Sequence, residues 1–312
     1  MILSGSSDAL GCRVRALLDA TDHTIVPVAE GERASDLKAR VEGATTLVHL
    51  AGGLDETRGL LDAASSVGVK HLVVLSSATV YGAWSTNPVP LTEEAAVRPN
   101  PELDFAVRAA ERERLAAEWK LAHPGTTVAI LRPAVPAAEQ AQGWLAEGLL
   151  TAATIRADGP EDPPVQYVHL DDLAAAVGLA ASSPLDGAFN VAPDGWITGE
   201  QLRALAGRPR FRLPEQVVNR FARLRAHLSP TAAHPGLAAY TTHPWVIAND
   251  RLRAQGWEPA WTNEEAFVAG HEPAPWAMVS PQRRQELALG ALGVVALGAV
   301  VGAVAVLRRS RP

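Results

Sequence analysis

From residue 2 onward, short apolar runs alternate with stretches in which apolar positions recur every three to four residues. The runs at 2–4, 23–28, 45–50 and 71–75 read as strands, and the stretches at 9–20, 34–41 and 56–66 between them read as helices. The strand runs are apolar throughout instead of alternating with polar residues, so both of their faces are buried, as in a parallel sheet covered by helices on each side. A longer amphipathic helix at 103–122 feeds a strand at 127–131, and an apolar run at 165–170 leads directly into a helix at 171–181. A strand at 188–191 and a helix at 199–206 complete the rhythm. The fold class that follows is α/β, a doubly wound parallel sheet occupying 1–206, with Pro-rich loops at 87–101 and 133–142 on its ligand-facing edge.

Beyond this the pattern changes. Residues 207–271 are less periodic and read as a small C-terminal subdomain carrying Trp245 and Trp257, which either anchor its core or line a pocket. A Pro-rich linker at 272–286 precedes an uncharged run at 287–307, built only of Leu, Val, Ala and Gly. At 1.5 Å per residue it spans roughly 30 Å, the thickness of a bilayer's hydrocarbon core, and it has no polar face to show water. It is expected to cross a membrane once. Arg283 and Arg284 before it and Arg308, Arg309 and Arg311 after it nearly balance, so flanking charge sets no orientation. With no basic, apolar leader read at the N-terminus, the folded domain is expected in the cytoplasm, tethered to the cytoplasmic membrane. Gly298 and Gly302, with Ala291 and Ala305 on nearly the same face, permit close helix approach and hence a homodimer or a partner helix in the bilayer.

Charge and composition narrow the partners. A net charge of −6 and a pI near 5.9, with no basic stripe, argue against nucleic acid. Cys12 is the sole cysteine, so neither an intrachain disulfide nor a thiolate metal site is expected. His49 and His169 sit in apolar strand runs and read as packed, hydrogen-bonded residues; no metal site is expected. Asp171 and Asp172 precede a helix and suit its first turn.

The first strand-to-helix turn reads Ser4-Gly5-Ser6-Ser7-Asp8-Ala9-Leu10-Gly11. A glycine-rich turn opening a helix presents backbone N–H groups and the helix dipole to a pyrophosphate, the arrangement of a Rossmann-type dinucleotide site. Glu30, after the second strand, stands where a carboxylate accepts from an adenosine ribose; it would favour NAD over NADP by repelling a 2′-phosphate. Later segments follow in order: Val48-His49-Leu50-Ala51, Leu75-Ser76-Ser77-Ala78-Thr79-Val80-Tyr81-Gly82, Leu131-Arg132-Pro133, Val168-His169-Leu170-Asp171-Asp172-Leu173-Ala174 and Phe189-Asn190-Val191. Together they resemble the NAD-dependent epimerase/dehydratase family, the extended short-chain dehydrogenases, over roughly 1–205, with weaker similarity to about 268. The resemblance implies an NAD(P)-binding Rossmann domain, a smaller substrate-binding part and, in active members, a Ser/Thr with a Tyr-x-x-x-Lys pair supporting hydride transfer. It implies that Gly5, Ser7, Asp8, Ala9, Leu10, Gly11, Glu30, Leu50, Ala51, Gly52, Ser76, Arg132 and Pro133 face the cofactor, and that Ser77 takes the catalytic Ser/Thr position.

The departures from that pattern matter equally. Asp8 replaces a glycine, and its carboxylate would either repel a pyrophosphate or cap the following helix. Phe105 and Ala109 occupy the Tyr and Lys positions, and neither transfers or tunes a proton. Arg108, one turn on, points toward the same area or is simply solvated among Glu111, Arg112 and Glu113. Only Gly52, Gly53 and Leu54 separate Ala51 from the next helix, a shortened wall for a substrate site. Two readings follow: a membrane-tethered member that has lost the usual redox catalysis and acts as a ligand-sensing scaffold, or an enzyme with a rewired acid/base acting on a nucleotide sugar or lipid-linked small molecule.

Overall fold

The run expected at the start of the chain forms β1 (Ile2–Ser4), and later runs pair with it on both sides: β2 (Val26–Val28) on one, β3 (Thr46–His49) on the other. The sheet continues through β4 (His71–Leu75) and β5 (Thr127–Pro133) to β9 (Gly187–Val191), in the order β2-β1-β3-β4-β5-β9, every neighbour parallel. Between β5 and β9 lie β6 (Val135–Ala137), β7 (Ile155–Ala157) and β8 (Tyr167–His169); β6 pairs with β8, and β7 pairs with β10 (Phe211–Leu213). This computed structural model describes residues 1–21, 23–29, 32, 40–139, 143–157, 162–207, 211–213 and 236–271. Glu30, most of the helix expected at 34–41, the linker at 272–286 and the apolar run at 287–307 lie outside them. Among the described residues no helix is long and apolar enough to cross a membrane.

The pleat explains why the strands had to be apolar on both faces. Ile2, Leu47, Leu72 and Val74 share one face, where they cluster with Leu60, Leu61 and Ala64 of α2 (Leu54–Val67) and Ala116 and Trp119 of α3 (Asp104–Ala122). Leu3, Val48 and Val73, equally buried, point to the opposite face, against which α5 (Leu170–Ser182) packs, with α1 (Ala9–Asp19) beside it. Each buried Leu, Ile or Val among them contributes about 1.5–3 kcal/mol by leaving water. Arg13 ties α1 to α5 through Asp171, at 2.7 Å. The remaining helices are α4 (Trp144–Thr154), α6 (Gly199–Ala206), α7 (Leu237–Tyr240), α8 (Asp250–Arg253) and α9 (Asn263–Ala269).

Residues 236–271 are bonded directly to the sheet-bearing body. Tyr240 donates to Thr79 O, Trp257 Nε1 donates to Asp172 O, and Gln166 exchanges two hydrogen bonds with the backbone of Ile247. Trp245 and Trp257 are buried anchors of these contacts, and neither lines the large cleft described below. Met1–Leu205 and Arg210–His271 accordingly form one unit. The chain leaves the carboxyl ends of β1 and β3 for opposite sheet faces, and the crevice so opened is where a doubly wound sheet places its ligand.

Candidate functional site

Two glycines let the β1–α1 turn close against the next crossover. Gly5 has φ +76, and a Cβ there would lie 2.8 Å from Ala51 N; a Cβ on Gly11 would lie 2.2 Å from Gly5 O. Larger residues would therefore force the turn apart. Asp8 is the N-cap of α1, its Oδ1 accepting from Gly11 N at 2.6 Å. One of the amides at this helix terminus already has its anion, supplied by the chain itself.

Beneath the carboxyl ends of β4 and β5 runs a buried polar network. Arg132 donates through Nε and Nη2 to both oxygens of Glu113, at 3.0 and 2.6 Å, each side chain 7% exposed. Ser76 donates to the same carboxylate. Arg132 Nη1 donates to Tyr81, whose hydroxyl donates to Asn190 Oδ1 at 2.8 Å. Burial opposes the charge on Arg132, and the bidentate carboxylate outweighs it, so its pKa lies above the ordinary value. Burial pushes the Tyr81 phenol up to about 12. Arg132, expected to face a cofactor, is thus occupied by Glu113 and Tyr81 and lies outside the cleft wall. Its role is to hold α3 to the sheet.

Above this floor is a cleft of about 630 Å³. The sequence-predicted residues Asp8, Ala9, Leu10, Leu50, Ala51, Gly52, Ser76, Ser77 and Pro133 all line it, as does Phe105. Gly5, Ser7, Gly11 and Ala109 do not. Ala109 is instead 2% exposed, on the buried face of α3 with Ala106, Glu113 and Ala116. Ser77 Oγ accepts from Thr79 N at 3.2 Å and from the Thr79 hydroxyl at 2.9 Å, capping the short 3-10 turn Ala78–Tyr81. Phe105 meets Trp144 edge-on, ring centroids 5.0 Å apart.

The residue that sequence reasoning passed over is Arg112. It lies one further turn along the face shared by Phe105 and Arg108, a spacing of three and then four residues that marks one side of a helix. Its Nη1 donates to Leu75 O and its Nη2 to Gly52 O, across the ends of β4 and β3, while its buried Nε meets no acceptor. Burial lowers its pKa and the positive charge of Arg108 lowers it further. Arg108 is exposed at the cleft and forms no ion pair among the described residues. His49 donates and accepts between Ser4 Oγ and Thr57 Oγ1, and burial, then Arg112, depresses its pKa to about 3. His169 caps α5 and stacks on Trp261. Both histidines are engaged within the fold, and among the described residues no cluster suits a metal.

The sequence profile of the NAD dependent epimerase/dehydratase family matches residues 14–192. An uncharacterized protein of Mycobacterium tuberculosis is 29% identical over 212 residues, 64% of this chain and 53% of that protein. One of Sinorhizobium fredii is 34% identical over 134 residues, 41% of this chain and 31% of that protein. The chain therefore spans about half the length, or less, of the curated relatives it matches. Among solved structures, UDP-glucose 4-epimerase of Thermus thermophilus, in complex with NAD, has a TM-score of 0.62 at 18% identity, covering 86% of this chain and 96% of that one. RMD of Pseudomonas aeruginosa, with NADPH, has a TM-score of 0.60 at 18% identity and the same coverage. UDP-glucose 4-epimerase of Thermotoga maritima, with UDP-glucose, has a TM-score of 0.62 at 15% identity and again the same coverage. The resemblance in these three is one of fold.

Proposed function

Because the chain belongs to the NAD dependent epimerase/dehydratase family, we propose that its cleft binds an NAD-type dinucleotide without the family's Tyr/Lys chemistry, and that the protein acts as a membrane-tethered, ligand-sensing scaffold. The observation that carries this reading is the pair at the positions where active relatives place Tyr and Lys. Phe105 enters the cleft wall with no ionisable group, and Ala109 is packed on the buried face of α3. No proton can be taken up or released there. The residues fit a dinucleotide in part. Gly5 and Gly11 keep the turn close-packed, and Leu50, Ala51, Gly52, Ser76 and Pro133 line the wall beside it. Asp8, however, answers one helix-terminal amide with its own carboxylate, so binding is expected to be weak. When bound, the cofactor supplies hydride chemistry only if a partner group can manage the proton.

Titration of the full chain in detergent with NAD⁺, NADH, NADP⁺ and NADPH tests the reading. Binding of NADH tighter than NADPH, with no turnover of nucleotide sugars, is expected; absence of all four at millimolar concentration would remove it. A second reading rests on Ser77, whose hydroxyl remains in the cleft wall: an enzyme with a relocated acid/base acting on a nucleotide sugar or lipid-linked substrate. Turnover by the full chain that disappears in Ser77→Ala would favour it. The membrane tether is assigned to residues 287–307, with the domain on the cytoplasmic side.

A further inference from the structure

Arg108 and Arg112 bring two cations to one wall of the cleft, and neither forms an ion pair among the described residues. They lie four residues apart on one face of α3, where like charges repel by a few tenths of a kcal/mol even in water. Among the described residues Arg112 is bonded only to carbonyl oxygens, which carry no net charge. The carboxylates nearest it are Glu113 and Glu56; Glu113 is already held by Arg132, and Glu56 forms no ion pair among the described residues. Among the described lining residues Asp8 is the carboxylate, and its Oδ1 accepts from Gly11 N. Phe105, on the same face of α3, and the 45%-exposed Trp144 give the same cleft an aromatic wall.

We propose that Arg108 and Arg112 are the anion-recognition pair of this cleft, holding a phosphate or carboxylate whose attached ring lies against Phe105 and Trp144. The inference rests on the reading that the cleft binds a small molecule and deepens it by naming the ligand's chemistry. The helix terminus that would take a pyrophosphate is capped by Asp8. Anion binding is thereby moved from backbone amides at α1 to guanidinium groups on α3. A guanidinium offers several donors in a planar fork, so two of them can enclose a phosphate through charge-assisted hydrogen bonds. An anion between them also offsets their mutual repulsion and adds counter-charge beside a part-buried Arg112 that forms no ion pair among the described residues. The ligand expected is therefore ring-bearing and phosphorylated or carboxylated, with its ring at the α4 end.

Calorimetric titration of the full chain in non-ionic detergent tests this with three probes: inorganic pyrophosphate, nicotinamide mononucleotide and NAD⁺. At least one phosphate-bearing probe should bind, and Arg108→Gln should weaken it about tenfold without lowering the melting temperature, because the exposed Arg108 side chain makes no ion pair among the described residues to lose. Arg108→Glu should abolish binding, and Arg108→Lys should retain part of it. Arg112→Gln would remove two bonds that join strand ends, so Arg108 carries the decision. If pyrophosphate and NAD⁺ exclude one another, the anion held is the dinucleotide's own; if they bind together, the pair serves a separate anionic ligand, and either result supports the assignment. NAD⁺ binding unaffected by Arg108→Gln would overturn this inference and leave the dinucleotide reading standing. Arg108-dependent binding of pyrophosphate or the mononucleotide with no binding of NAD⁺ would do the reverse. Failure of all three probes at millimolar concentration overturns it as well.

Discussion

Asp8 sets the energetics of the β1–α1 turn at the level of a single side chain. Its carboxylate stabilises α1 as a cap, and a like charge a few ångströms from a pyrophosphate costs about 1–4 kcal/mol at surface-like dielectric. Asp8→Gly keeps an acceptable N-cap, at a cost of only a few tenths of a kcal/mol. It should tighten NAD⁺ binding about tenfold by calorimetry; unchanged affinity would mean that the carboxylate and the pyrophosphate do not meet. This residue was legible in the sequence, because an acidic residue just ahead of an apolar helical pattern is a local signal. Arg112 and Glu113 were not. In the run Glu111-Arg112-Glu113-Arg114 every residue reads as solvated, and what distinguishes part-buried Arg112 and buried Glu113 is contact with distant strands: Arg132 is 19 residues beyond Glu113, and Leu75 and Gly52 precede Arg112 by 37 and 60. His49 gives a further residue-scale outcome. Its folded pKa of about 3 lies below the unfolded value of 6.5, so between those pH values the unfolded chain binds a proton that the folded chain refuses. Stability contributed here is complete above about 6.5 and declines as pH falls toward 3, by at most about 1.4 kcal/mol per pH unit. His49→Gln should flatten that part of the pH–stability curve measured by urea unfolding; a curve as steep as the parent's would refute the assignment.

At the scale of the element, α3 divides its work between two faces. Phe105, Arg108 and Arg112 address the cleft, whereas Ala106, Ala109, Glu113 and Ala116 address the sheet. The packed face makes its single ion pair structurally costly to break. Glu113→Ala strands a buried guanidinium and should cost about 3–5 kcal/mol in urea unfolding, while replacing both Glu113 and Arg132 by apolar residues should cost much less. An equal loss in the single and double variants would show that packing, not charge, is at issue. The same division bears on restoring chemistry. Phe105→Tyr adds a hydroxyl toward the cleft, but Ala109→Lys places an ammonium at a site 2% exposed. The double variant should lose stability without gaining turnover, and turnover on a nucleotide sugar would show the rest of the site intact. Element types and boundaries were largely legible, since continuous apolar runs and helical periodicity are local: the expected helix 103–122 is observed as Asp104–Ala122. The order of strands was not, because nothing within β1, β2 or β3 states that the first lies between the other two. That follows from which face each crossover helix covers, a property of the assembled sheet.

For the molecule as a whole, the described unit is held together by its own contacts, and the membrane assignment for residues 287–307 rests on their sequence alone. A run of Leu, Val, Ala and Gly of that length, left in water, would expose more apolar surface than a soluble chain tolerates, and lipid is the solvent proposed for it. Its backbone can satisfy every hydrogen bond internally as a helix, which is the condition for spanning. The full chain is therefore expected to stay with membranes through high-salt and carbonate washes. Gly298→Arg with Val301→Arg tests the mechanism without shortening the chain, because two charges at mid-run cost about 2.5–3.5 kcal/mol each on an insertion scale. That variant should partition to the soluble fraction while its ligand titration is unchanged, since neither residue belongs to the described unit. Orientation is read separately: protease added outside intact cells should leave residues 1–271 uncut, and cleavage there would invert the topology. Release of the parent chain by carbonate would mean that the run lies on the bilayer or against a protein partner, and the tether would have to be withdrawn even if the cleft binds its ligand as proposed.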